Sequence, residues 1–181
     1  LVRVFDAVSD QLISSIELSY SYDFFVGFAP GDRLICGSND YSIWDGPSKQ
    51  ITMELACFDW RDGSLLWHTE ERVTRSILDF VISQVQLIIS EEAGNHILLV
   101  VENRVFLFDL ENGEKVTEKI TSSEIVGLAM NKDSGLYVSM TDMGQTNWGN
   151  LYTGRDDQDV DFKIDANIMS FVGAFNHIII V

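Results

Sequence analysis

Three aspartates stand at matching places in the chain. Asp6, Asp59 and Asp109 each close an apolar, strand-like run and open a polar turn. Carboxylates aligned near one face could hold a cation. An aspartate entering a turn also accepts hydrogen bonds from backbone N–H groups two residues on, which fixes the turn. Because the residue recurs from unit to unit, the turn reading takes precedence. Asp157, Asp159 and Asp161 begin like a calcium loop, but no glycine follows and Phe162 stands where the sharp turn is needed. In a strand those carboxylates would share one face, with Val160, Phe162 and Ile164 on the other. A solvated edge strand is the expectation.

His68, His96 and His177 are the chain's histidines; His96 and His177 hold equivalent places 81 residues apart, which keeps them from converging on one site. The sequence contains no G-x-S-x-G, H-E-x-x-H, Walker loop or dinucleotide glycine fingerprint. No catalytic, metal or cofactor-binding residue is nominated. Cys36 and Cys57 flank a possible hairpin around Gly46-Pro47, whose midpoint of 46.5 places them roughly opposite. That leaves a cross-strand disulfide or, as an intracellular protein favours, two buried thiols. Of the tryptophans, Trp67 reads as core. Trp148 lies in Asp142–Asn150, a polar, glycine-rich stretch read as a mobile loop, and aromatics exposed in loops are enriched at binding surfaces. Asp142, Gln145, Asn147 and Trp148 are therefore the candidate partner-binding residues.

These residues sit among short strands. Val2–Asp6 and Leu12–Leu18 alternate with period two, and Phe24–Ala29 and Arg33–Gly37 flank the turn Pro30-Gly31-Asp32. Further strands are Ile51–Trp60, Ser64–Thr69, His96–Val101, Arg104–Asp109, Glu114–Ile120, Ile125–Met130 and Leu136–Thr141. Asp159–Ile164, Met169–Phe175 and His177–Val181 complete the series. Thr121–Glu124 matches a helix capping box, yet the repeat below favours a strand from Ile125. Glu70–Ile89 fits either an extra strand pair or a helical insertion.

The chain repeats itself. Phe25-Val26-Gly27-Phe28-Ala29 is matched by Ile125-Val126-Gly127-Leu128-Ala129 and more loosely by Phe171-Val172-Gly173-Ala174. Asn95-His96-Ile97-Leu98-Leu99-Val100 is echoed by Asn176-His177-Ile178-Ile179-Ile180-Val181. The aromatic–Asp phrase recurs at spacings of 53 and 50 residues, with a weak echo at Asn150-Leu151-Tyr152-Thr153-Gly154. Four antiparallel strands per unit of about 40–50 residues make a propeller blade. The chain resembles the WD-repeat and quinoprotein-like β-propellers, with Ala56-x-Phe58-Asp59-x-x-Asp62-Gly63-x-x-x-Trp67 the best match to a quinoprotein-type repeat. No Gly-His pair precedes a first strand, and Trp44-Asp45 precedes a loop instead of closing a third strand. The resemblance implies an all-β fold: a β-propeller of about four four-stranded blades, part of a larger ring, with residues 1–181 as one propeller domain or segment. A β-sandwich would also give short strands, but not a phrase that returns every 50 residues.

In this alignment Val2–Asp6 and Leu12–Leu18 are the third and fourth strands of a blade, and Met169–Phe175 and His177–Val181 the first and second of another. A closed four-blade ring is the competitor to the larger one, and the distance between Leu1 and Val181 would separate them.

The 181 residues carry 12 Lys+Arg against 28 Asp+Glu, a net charge of −16, with 46% apolar residues. That combination describes an acidic globular chain and disfavours nucleic acid or anionic lipid as partners. No apolar run approaches the roughly 20 residues of a membrane helix. No secretory signal opens the chain, no N-x-S/T acceptor is present and the two cysteines have no CxxC spacing, so a cytoplasmic location is the expectation, although the chain does not start with Met and targeting information can precede it. Together these features predict a non-catalytic propeller serving as a protein–protein interaction scaffold for partners with a basic surface, among them the remainder of a larger chain or complex. The alternative is a quinoprotein-type propeller enzyme or a small-ligand-binding propeller, motivated by the Asp59…Gly63…Trp67 phrase.

Overall fold

The computed structural model describes residues 1–17, 23–40, 49–75, 82–156, 171–174 and 177–180. These residues form sixteen strands and, among them, no helix. They divide into two compact units, Leu1–Leu78 and Asp79–Val181.

In the first unit β1 (Val2–Phe5) and β2 (Leu12–Ile16) pair as a two-stranded antiparallel sheet. β3 (Asp23–Ala29), β4 (Arg33–Asp40), β5 (Lys49–Asp59) and β6 (Leu65–Arg75) follow as a four-stranded meander in chain order. The register sets Leu34 beside Phe58 and Cys36 beside Ala56. Period-two alternation sends these side chains to one face, where they pack with Val4 and Ile16 of the small sheet. Ile35, Cys57 and Trp67 are neighbours on the opposite face and are also buried.

The second unit repeats the plan. β7 (Ile82–Ser90), β8 (Gly94–Val101), β9 (Arg104–Asp109) and β10 (Lys115–Ile120) form one meander. β11 (Ile125–Met130), β12 (Leu136–Thr141), β13 (Thr146–Asn150) and β14 (Arg155–Asp156) form the next, and β15 (Phe171–Ala174) pairs with β16 (His177–Ile180). The first strands are neighbours: β11 lies beside both β7 and β15. Leu98, Val100, Val105 and Leu107 of one sheet pack against Ile125, Leu128, Tyr137 and Leu151 of the other. The middle strands β8 and β9 are near-continuous apolar runs because both their faces are buried, whereas the fourth strand β10 is polar and open. Each fully buried Leu or Phe there contributes about 1.5–3 kcal/mol.

Three four-stranded sheets with a two-stranded sheet before and after them match the blade alignment. Ile125–Met130 is a strand, as the repeat requires. The Thr121 hydroxyl caps no helix; it donates to the Asn103 and Ser123 carbonyls, and the Ile125 N–H donates to the Glu102 carbonyl, tying the link between sheets to the β8–β9 turn. The ambiguous Glu70–Ile89 stretch resolves into the end of β6 and most of β7, with 76–81 outside the described residues. Trp44, the turn at Gly46-Pro47, Asp157, Asp159, Asp161, the expected strand 159–164 and Val181 also lie outside them, so the test based on the distance from Leu1 does too.

Candidate functional site

One turn is built repeatedly from the same local chemistry. The Asp59 N–H donates to the Ser64 carbonyl, the Gly63 N–H donates back to the Asp59 carbonyl, and Asp59 Oδ1 accepts the Arg61 N–H at 2.9 Å. Asp6 does the same with the Val8 and Ser9 amides, and Asp109 with those of Glu111 and Asn112. Asn131 accepts from the Asp133 and Ser134 amides, and Asn150 from those of Tyr152 and Thr153. In all five the fourth residue on is left-handed: Asp10, Gly63, Gly113, Gly135 and Gly154. The three aspartates thus serve three separate turns, as the turn reading expects. Among the described residues no group of three His, Cys, Asp or Glu side chains converges as a metal set would.

A second bond recurs at these turns. The N–H after the turn-opening residue donates across to the hairpin joining the first two strands of the same sheet. The pairs are Trp60 to the Asp32 carbonyl, Leu110 to Asn95 and Leu151 to Gly135, at 2.9–3.1 Å. Both hairpins at that end of each sheet are thereby locked together. The charges there are strongly held. Hydrogen bonds from the Arg61 guanidinium and amide lower the Asp59 pKa to about 2. Amides of Ser9 and Val8 lower that of Asp6, and the Ser64 amide that of Asp62. Asp59 and then Asp32 raise the Arg61 pKa, keeping it charged.

The candidate contact residues are placed differently from the sequence expectation. Asp142–Asn150 is not a loop: β13 begins at Thr146 and pairs with β12, with Val138 opposite Trp148 and Ser139 opposite Asn147. The turn is only Asp142–Gln145. It is closed by the Thr141 N–H to the Gln145 carbonyl and the Gly144 N–H to the Thr141 carbonyl, and pinned by the Asp142 N–H on the Glu124 carbonyl. The Ser122 hydroxyl donates to Gln145 Oε1 at 2.7 Å. Asp142 and Gln145 are therefore together on one held turn, while Asn147 and Trp148, consecutive on a strand, point to opposite faces. Met143, 75% exposed at the tip, was not visible as a candidate; its signal is an apolar residue just before the glycine of a two-strand turn.

The other residues singled out in the sequence are placed separately from that turn. Cys36 and Cys57 are buried thiols with no disulfide between them. In the β4–β5 register Ile35 pairs with Cys57 and Cys36 with Ala56. The one-residue offset turns the two thiols to opposite faces of the sheet, so the roughly opposite placement is corrected. Trp67 is buried, and Trp60 lies edge-on to Phe28. His68 Nε2 lies 3.0 Å from Glu54 Oε1 and 3.8 Å from Glu70 Oε1. His96 stacks on Tyr152; the side chain of His177 is outside the description.

No family model and no curated protein matches this sequence. Among solved structures it is similar to the crystal structure of BamB from Moraxella catarrhalis, with 16% identity and a TM-score of 0.53 over 85% of this chain and 44% of that one. The chain therefore spans less than half the length of the structure it matches. Identity at that level speaks for the fold alone. Together with sheets that run in chain order and, in the second unit, neighbouring first strands, it shows that this chain has a β-propeller fold.

Proposed function

We propose that residues 1–181 form a non-catalytic β-propeller domain or segment that acts as a protein-interaction scaffold. The observation that carries this reading is the Asp142–Gln145 turn. Its backbone is tied to Glu124 and Thr141, and it holds Met143 out into solvent beside Asp142 and Gln145. A rigid turn presenting an apolar side chain loses little conformational entropy on binding, which is what an interaction anchor needs. Trp148, on the adjoining strand, extends the contact. The chain's −16 charge favours a partner with a basic surface, speeding encounter at low salt.

The test is affinity capture at low and high salt with the wild type and with Asp142→Asn/Met143→Ser. The captured protein is then purified and its affinity for both forms measured. The expected result is one partner, weaker at high salt and bound at least about tenfold less well by the variant. Recovery of a small molecule and no protein, or a partner indifferent to the variant, overturns the proposal.

A further inference from the structure

His96, at the start of β8, is buried, with its ring centroid 4.9 Å from that of Tyr152 and the planes at 34°. Tyr152 belongs to the turn after β13, so this stack bridges the β7–β10 and β11–β14 sheets. Tyr152 is fixed on its other sides: its hydroxyl donates to the Lys132 carbonyl, and its ring lies against Gly135. Beside the stack, the Ser90 hydroxyl donates to Asp133 Oδ1 at 3.0 Å, again from one sheet to the other. His96 Nδ1 is buried with no hydrogen-bond partner. A neutral imidazole tolerates that, since an unprotonated ring nitrogen only forgoes an acceptor bond. An imidazolium does not, because both nitrogens must then donate.

We propose that the His96–Tyr152 stack is a pH-sensitive clasp between these two sheets, closed while His96 is neutral and opened when it is protonated. The groups facing His96 set the balance. Asp109 stands directly across on β9 and favours the imidazolium, but its Oδ1 already accepts the Glu111 and Asn112 amides. Asp133 and Lys132 come from the β11–β12 turn, where Asp133 accepts from Ser90. Glu91 and Glu92 in the β7–β8 turn are exposed to solvent, and Ile88, across on β7, is apolar. Burial is the largest influence, exceeding the opposing Asp109 charge and the hydrogen bond to the Gly94 backbone, so His96 gains its proton less readily than an ordinary histidine. The sign follows: a folded-state pKa below that of the unfolded chain gives stability at neutral pH, lost as pH falls below about 6.5 and through the folded value.

The test is amide hydrogen exchange of the whole chain near about pH 7.5 and about pH 5, corrected for the intrinsic exchange rate. The readouts are the Leu110 and Leu151 amides, which bond to the Asn95 and Gly135 carbonyls flanking the stack. In the wild type their protection is expected to fall severalfold at the lower pH. His96→Phe keeps a ring for the stack and cannot take a proton; its protection should be independent of pH. His96→Gln serves the same purpose if the phenylalanine variant does not fold. Tyr152→Leu at the higher pH should exchange as the wild type does at the lower. Equal wild-type protection at both pH values, or a pH effect that survives in the His96 variants, overturns the clasp.

Discussion

Gly135→Ala should be among the most damaging single-methyl additions to the second unit. Gly135 has φ +73, and a Cβ there would collide with the Tyr152 ring at Cδ2, Cγ and Cε2, each closer than 3.0 Å. The ring is held in place, because its hydroxyl is bonded to the Lys132 carbonyl and the ring packs against His96. Placing a side chain in the left-handed region costs about 1–2 kcal/mol, and forcing a group into filled space adds about 1–3 kcal/mol. The expected loss is about 2–5 kcal/mol. Gly154→Ala is the control: φ is +67, but the nearest atom, Thr117 Oγ1, is 3.7 Å away, so only the backbone part, about 1–2 kcal/mol, should appear. Urea denaturation followed by circular dichroism gives both values from the midpoint and slope. In Gly135→Ala/Tyr152→Leu the two losses should fall short of additive by about 1–3 kcal/mol, since the smaller side chain makes room. Equal destabilisation by the two glycine substitutions, or strict additivity in the double variant, would refute the clash.

Asp59→Asn should fold normally, because Asn131 and Asn150 hold the same turn with an amide, yet flatten the acid limb of unfolding. The Asp59 carboxyl titrates at about 2 in the fold against 3.8 in the reference state, so its contribution is present above pH 3.8 and lost as pH falls through about 2; acid titration of both forms by circular dichroism checks this. Cys36 and Cys57 should both react with a thiol reagent only after denaturation, and an oxidant should not cross-link them, because their side chains leave opposite faces; mass spectrometry without reductant is the measure. Leu107→Ala should cost about 2–5 kcal/mol in urea denaturation, since Leu107 is fully buried in the cluster joining two sheets.

The blade plan was legible because its signals are local. An Asx residue, a polar pair and a glycine four residues on specify their turn without help from the rest of the chain, so Asp59 and Asp109 announced the third-to-fourth hairpin. Asn150 read as a weak echo, and its turn proves complete, since an amide oxygen accepts the same bonds as a carboxylate. The copy at Asn131 was hidden because it joins first and second strands. Thr146–Asn150 read as loop because Thr-Asn-Trp-Gly-Asn has a loop's composition; pairing to β12 outweighs that propensity. The Cys36–Cys57 placement failed over half a residue. The strands pair about residue 46, a midpoint of 46.5 cannot choose between registers, and a slip of one residue exchanges the faces.

Trp148 is where packing and contact compete for one residue. Counted back from the turn, it holds the position that Val4, Cys57 and Leu107 hold in the three preceding sheets. Those three are buried, whereas Trp148 keeps 36% of its surface exposed, opposite the buried Val138. An inter-sheet position ordinarily takes a side chain sized to the gap; a tryptophan with an open flank presents indole surface for an incoming group. The two roles separate in one variant. If Trp148 is a contact, Trp148→Ala should weaken partner binding at least about tenfold, while lowering stability by only about 1–2 kcal/mol, well under the cost of removing a fully buried tryptophan. A stability loss as large as that of Leu107→Ala, with partner affinity unchanged, would make Trp148 a packing residue and leave the Asp142–Gln145 turn to carry the interaction.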